Sequence, residues 1–185
     1  HWLDAMADAI TPRADMGFGA RVEVFSHHSG RLWPMARASR LVPATLDTAI
    51  DGLVQSLPPS LLAQRYGPTA REFVGWHTSF WPGSQRLVTE AMRRSGHATV
   101  RALFGTLVFA VPGVSGLALV APARRADARA SRLRARWLRV MTHVAAGLRL
   151  RQRLAASSSP PEGVLTPEGR LLHAASMAQR ARPAL

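Results

Sequence analysis

The chain has 185 residues, enough for one domain with a core of ordinary size, and at 47% hydrophobic it is not disordered by composition. It contains no cysteine, which excludes disulfide scaffolds, thiolate metal sites and cysteine nucleophiles together and fits a reducing compartment. The formal charge is +13, from 24 basic and 11 acidic residues, but every basic side chain is arginine, and lysine and asparagine are absent. A G/C-rich coding sequence accounts for much of that excess, so charge alone does not establish a nucleic-acid partner.

The chain opens on His1 instead of Met, which predicts a fragment or processed form, and no basic-then-apolar leader follows. From Trp2, residues Leu3, Met6 and Ile10 recur at helical spacing, and Thr11-Pro12 is expected to end or bend that helix. Gly17-Phe18-Gly19 precedes a strand instead of following one, so it reads as a turn and not as a phosphate loop. Ala20 to Ser26 and Arg31 to Val42 predict two strands of a hairpin, the second irregular near Pro34. A helix starts at Pro43, with Leu46, Ile50, Leu53, Val54 and Leu57 on one face, and Pro58-Pro59 stops it. A shorter helix over 60–66 ends at Gly67.

Residues 71–81 are aromatic-rich and predict a short strand and a loop. Phe73, Trp76, Phe80 and Trp81 are the best pocket candidates, with Arg71 and His77 as the polar groups that orient a ligand. The competing reading, and the commoner one for such rings, is ordinary core. A helix follows from about Pro82 to Ser95, closed by Arg93, Arg94 and Gly96. No charged residue occurs from Ala102 to Ala123. That length permits a membrane span, but Pro112-Gly113 and Gly116 interrupt it, which favours two buried strands joined by a turn.

The longest predicted helix runs from about Asp127 to Leu154. Its stripe Leu133, Trp137, Val140, Val144 and Leu148 either covers the chain's own sheet or also forms a homodimer seam. Met141 and Leu150 add apolar surface, whereas Arg132, Arg136 and Arg139 oppose parallel packing. Ala155 to Glu162 reads as linker, and Val164-Leu165 and Leu171-Leu172 predict a small hairpin. The organisation expected is a domain over 1–154, a linker over 155–163, and a hairpin with the start of a truncated connecting helix over 164–185.

Catalytic signals are weak. Ser115 in Gly113-Val114-Ser115-Gly116 lacks the second glycine spacing of a nucleophile elbow. His27 and His28 point to opposite sides of an extended chain, and the other histidines are scattered, so no metal and no cofactor is expected. Asp4/Asp8 and Asp47/Asp51 read as solvated helix faces, and no acid/base pair stands out. The expectation is a binding domain, not an enzyme.

The element order, helix, hairpin, helices, hairpin, long helix, resembles a sensor domain of the GAF/PAS kind. The run His143-Val144-Ala145-Ala146-Gly147-Leu148-Arg149-Leu150-Arg151, with Val164 to Ala174 (VLTPEGRLLHA), resembles the region upstream of the DNA-binding module in LuxR-type transcriptional regulators. The resemblance covers roughly the last 50 residues. It implies an α/β (α+β) fold with a GAF-like central antiparallel sheet, helices on both faces and a long C-terminal helix. It also implies a cytoplasmic, signal-sensing regulatory region with a small-molecule signal as partner and no membrane association. DNA contact would come only through a missing downstream module. Thr166-Pro167-Glu168 is followed by Gly169 and not by a recognition-helix pattern. The aromatic and Asp pattern of acyl-homoserine-lactone-binding domains is not matched, so that ligand is not implied. The alternative is a stand-alone small-molecule-binding or scaffold domain unrelated to transcription.

Overall fold

The computed structural model describes residues 2–29, 31–156, 163–165 and 171–174, with side chains over 2–29, 31–127 and 134–154. Two compact units divide the chain, residues 1–146 and 147–185.

In the first unit, α1 (Trp2–Ala14) leads into the hairpin β1 (Ala20–His28) and β2 (Arg31–Arg40). Then come α2 (Ala44–Gln55), α3 (Pro59–Tyr66), β3 (Phe73–Trp76), α4 (His77–Phe80) and α5 (Ser84–Arg94). The apolar hairpin β4 (Ala102–Val111) and β5 (Ser115–Ala123) follows, and α6 (Ala128–Ala156) begins after it. The strands form one antiparallel sheet in the order β2-β1-β5-β4-β3. The uncharged stretch is therefore a hairpin, and β5 is the middle strand. Nearly every residue of β4 and β5 is buried, because both faces of the sheet are covered. No helix among the described residues is long and apolar enough to cross a membrane.

Alternation assigns the two faces. Arg21, Glu23 and Phe25 of β1 stand opposite Val120, Ala118 and Gly116 of β5. Those pair in turn with Gly105, Leu107 and Phe109 of β4. On this face α2 and α5 bury Leu46, Ile50, Leu53, Val88 and Met92 against Leu103. The aromatic cluster Phe25, Tyr66, Phe80 and Trp81 fills its other half. The opposite face carries Val22, Val24, Leu117, Leu119 and Phe104, and α1 packs across it on β1 and β2.

Two local expectations change. The first helix does not end at Thr11-Pro12 but continues to Ala14. Pro12 has no N–H to donate to the Asp8 carbonyl, but the turn closes after it, where the Asp15 N–H donates to the Thr11 carbonyl at 2.8 Å. Thr11 and Ala14 are buried, which holds this last turn in place. The segment after β3 is not all loop, since His77–Phe80 forms one helical turn. In the second unit, β6 (Gly163–Leu165) pairs antiparallel with β7 (Leu171–Ala174), as the hairpin reading expects. The predicted linker from 157 to 162 and the tail from 175 lie outside the described residues.

Gly116 is the closest point of the sheet. A Cβ there would stand 2.4 Å from the Val108 carbonyl oxygen and 2.7 Å from Phe25 Cζ. Gly116→Ala should therefore cost about 1–3 kcal/mol, because backbone and a packed ring must both shift. A lower urea midpoint at unchanged m would show it.

Candidate functional site

A cavity of about 80 Å³ lies between the sheet and the middle helices. β1 supplies Arg21, Glu23 and Phe25 to its wall, α2 supplies Ile50 and Leu53, and β4 and β5 form the floor. Phe73, His77, Phe80 and Trp81 line it, as does Tyr66 from the end of α3. Tyr66 meets Phe25 and Phe80 edge to face, and Trp81 is tilted against Phe80. Phe25 and Tyr66 centroids are 5.4 Å apart, Tyr66 and Phe80 5.9 Å, and Phe80 and Trp81 5.3 Å. Such pairs hold their rings in fixed orientations beyond simple burial.

Of the six residues singled out in the sequence, four thus meet at the cavity. Arg71 is exposed and does not border it. Trp76 is buried but points to the other side of the sheet, since it is three residues on from Phe73 in a strand of period two. There it packs on Phe104 and donates its indole N–H to the Asp127 carbonyl at 3.0 Å.

The polar wall was not foreseen. Arg21 is only 2% exposed, and α2 brings two carboxylates to it. Its Nη1 lies 3.1 Å from Asp47 and 2.9 Å from Asp51, and its Nη2 lies 2.7 Å from Glu23. Arg37 on β2 binds the same three carboxylates, most closely Asp51 at 2.6 Å. Ser39 donates to Asp47 at 3.0 Å. Asp47 and Asp51 are therefore not a solvated helix face but a clamp between α2 and the sheet. Asp4 and Asp8 likewise pair with Arg40. Alternation along β1 placed Arg21 and Glu23 with Phe25, but no periodicity in the sequence says which acids will surround them.

His77 is 5% exposed. Its Nδ1 accepts the Leu103 backbone N–H at 3.1 Å. Burial pushes its pKa down, against a smaller opposite effect of that hydrogen bond. The ring is thus neutral with its proton on Nε2. That nitrogen has no partner, nor do Trp81 Nε1 and Arg21 Nε. Tyr66 is pushed well above the ordinary phenol range by burial and by Glu23. Among the described residues, no three His, Asp or Glu side chains group so as to hold a metal ion.

The strand order and the helices on the two faces settle the architecture. The fold is GAF-like. A similar solved structure is the photoproduct state of GAF3 from Slr1393 of Synechocystis sp. PCC6803, at TM-score 0.50 and 16% identity, covering 85% of this chain and 99% of that one. At that identity the likeness is one of fold. No protein-family model and no curated protein sequence matches the chain.

The dimer stripe proposed for α6 is divided. Trp137 and Leu148 are buried, with Met141 and Ala145 on the same line, whereas Val144 is half-buried and Val140 is 38% exposed. The side chain of Leu133 lies outside the described residues.

Two measurements probe this site. Arg21→Ala leaves the carboxylates of Glu23, Asp47 and Asp51 short of a partner and should cost about 3–5 kcal/mol in urea denaturation. His77 has a folded pKa below its unfolded 6.5, so its stabilising contribution is complete above that value and is lost as pH falls through the folded one. Between about pH 7.5 and about pH 5.5, the parent midpoint should fall further than that of His77→Gln, which cannot take up a proton.

Proposed function

We propose that the chain is the signal-sensing region of a cytoplasmic bacterial LuxR-type transcriptional regulator, working by binding and not by turnover. The observation that carries the sensing part is the cavity, a mostly apolar space whose lining includes three residues with a buried N–H that lacks a partner. Native structures rarely leave such groups unpaired, and ligand sites are where they occur. The GAF-like fold supports the same reading. The regulator part rests on the runs at 143–151 and 164–174. DNA contact then belongs to a helix-turn-helix within about the next hundred residues of the reading frame. A homodimer through α6 would use the exposed Val140 and leave the buried Trp137 and Leu148 out of the seam.

Ala118 lines the cavity between Glu23 and Leu107. Ala118→Phe should fill the space at a cost of about 1–3 kcal/mol. In a reporter strain carrying the full regulator, it should abolish the transcriptional response to culture extract while the protein still accumulates. An undiminished response would overturn the cavity as the sensing site. The isolated chain should bind duplex DNA weakly, with salt-sensitive affinity equal for unrelated sequences, because arginines reach phosphates but nothing reads base edges. Tight, sequence-selective binding in a mobility-shift assay would overturn the division of labour.

A further inference from the structure

The hydrogen-bonding valence of the cavity narrows what it can hold. This step rests on the cavity being the ligand site. Three residues that line it each carry one side-chain N–H without a partner, and all three groups are donors: His77 Nε2–H, Trp81 Nε1–H and Arg21 Nε–H. The histidine is a donor because Leu103 N–H occupies its other nitrogen. Thr106 Oγ1 is also unpartnered, but its strand position puts the hydroxyl on the opposite face of the sheet. The one carboxylate on the wall, Glu23, already accepts from both Arg21 and Arg37. A ligand that only donates would leave the three N–H groups unmet.

Charge narrows it further. Around Arg21 three carboxylates (Glu23, Asp47, Asp51) face two guanidinium groups (Arg21, Arg37), a surplus of one negative charge. His77 is neutral and supplies nothing to offset it. An anion here would lose its hydration and meet, behind a wall on which Arg21 and Glu23 balance, a cluster with that surplus negative charge. A cation would suit the charge but would present donors to donors.

We infer that the cavity binds an uncharged molecule whose apolar body carries a hydrogen-bond acceptor of the carbonyl type, held by His77, Trp81 and Arg21. Size sets the scale of the first probes. The cavity measures about 80 Å³, below the roughly 150 Å³ that accommodates benzene in an engineered apolar cavity. Probes of about half a dozen heavy atoms are therefore appropriate.

The test uses cyclopentanone, cyclopentane, cyclopentylamine and isobutyrate, titrated near neutral pH into the ¹⁵N-labelled chain. The Trp81 indole resonance, identified by its loss in Trp81→Phe, reports the site. Cyclopentanone should shift it downfield and saturably, with an affinity at least about ten-fold above that of cyclopentane. Isobutyrate and cyclopentylammonium should cause no saturable shift. Trp81→Phe keeps an aromatic ring and removes the N–H, and, read in that variant from the backbone amide of Ala118 on the cavity floor, should weaken cyclopentanone about three- to ten-fold while sparing cyclopentane. The order of affinities in the parent stands whether or not that variant folds. Cyclopentane equal to the ketone, or either ion as tight, would overturn the ligand class and leave the cavity as a site. No shift of any cavity resonance with any probe would overturn the ligand class and the sensing role together.

Discussion

Arg21 is a cation in the interior, and much of the molecule is arranged around that fact. A buried guanidinium needs both compensating charge and acceptors for its N–H groups. One acceptor comes from its own strand, Glu23, two residues on and on the same face. The others must come from across the sheet, and α2 delivers them with Asp47 and Asp51 one helical turn apart. Arg37 on the edge strand closes the cluster. The consequence is geometric. α2 is tied to the sheet at a fixed height and orientation, and its apolar positions Ile50 and Leu53 come down over the same face. The cavity exists because the polar clamp and the aromatic cluster hold the helices at either end of that face, while Gly105 and Ala118 between them have little side chain to fill it.

The aromatic end is organised by close approach. Phe25 lies over Gly116, where no larger residue fits, and from there Tyr66, Phe80 and Trp81 follow ring to ring. Arg65 caps the outside, its guanidinium 5.3 Å from the Phe80 centroid. The four-residue α4 turns the chain between β3 and α5, and in doing so directs His77 and Trp81 inward. His77 then does two things. It closes the open N–H of Leu103 at the start of β4, and it lines the cavity with its second nitrogen unpartnered. A structural hydrogen bond on one side thus sets the donor character on the other, the usual logic of a histidine whose tautomer is fixed by a neighbour.

The opposite face has a plainer task. It carries aliphatic side chains and Trp76–Phe104, with α1 packed over its β1 and β2 end. α6 buries Trp137, Met141, Ala145 and Leu148 at steps of four, four and three, so Trp137 and Leu148 of the expected stripe hold and its middle passes from Val140 and Val144 to their neighbours Met141 and Ala145. Steps of three and four both fit a helix of about 3.6 residues per turn, so periodicity alone does not choose between these middle positions.

Most of the fold was legible in the chain. The strand pairs 20–40 and 102–123, the helix stripes of α2 and α5, and the proline and glycine breaks between them are local signals. They follow from alternation, helical spacing and the loss of a backbone donor at proline. Four of the six pocket residues were legible too, because an aromatic run in a short strand-turn segment has to be buried somewhere. The separation of Trp76 from Phe73 follows from strand alternation, whereas the partners of Arg21 were decided only in three dimensions. Asp47 and Asp51 lie 26 and 30 residues from Arg21. Whether such acids face water or a buried cation depends on which helix crosses which strand and at what height. That is set by the summed packing of the whole sheet and not by any window of sequence.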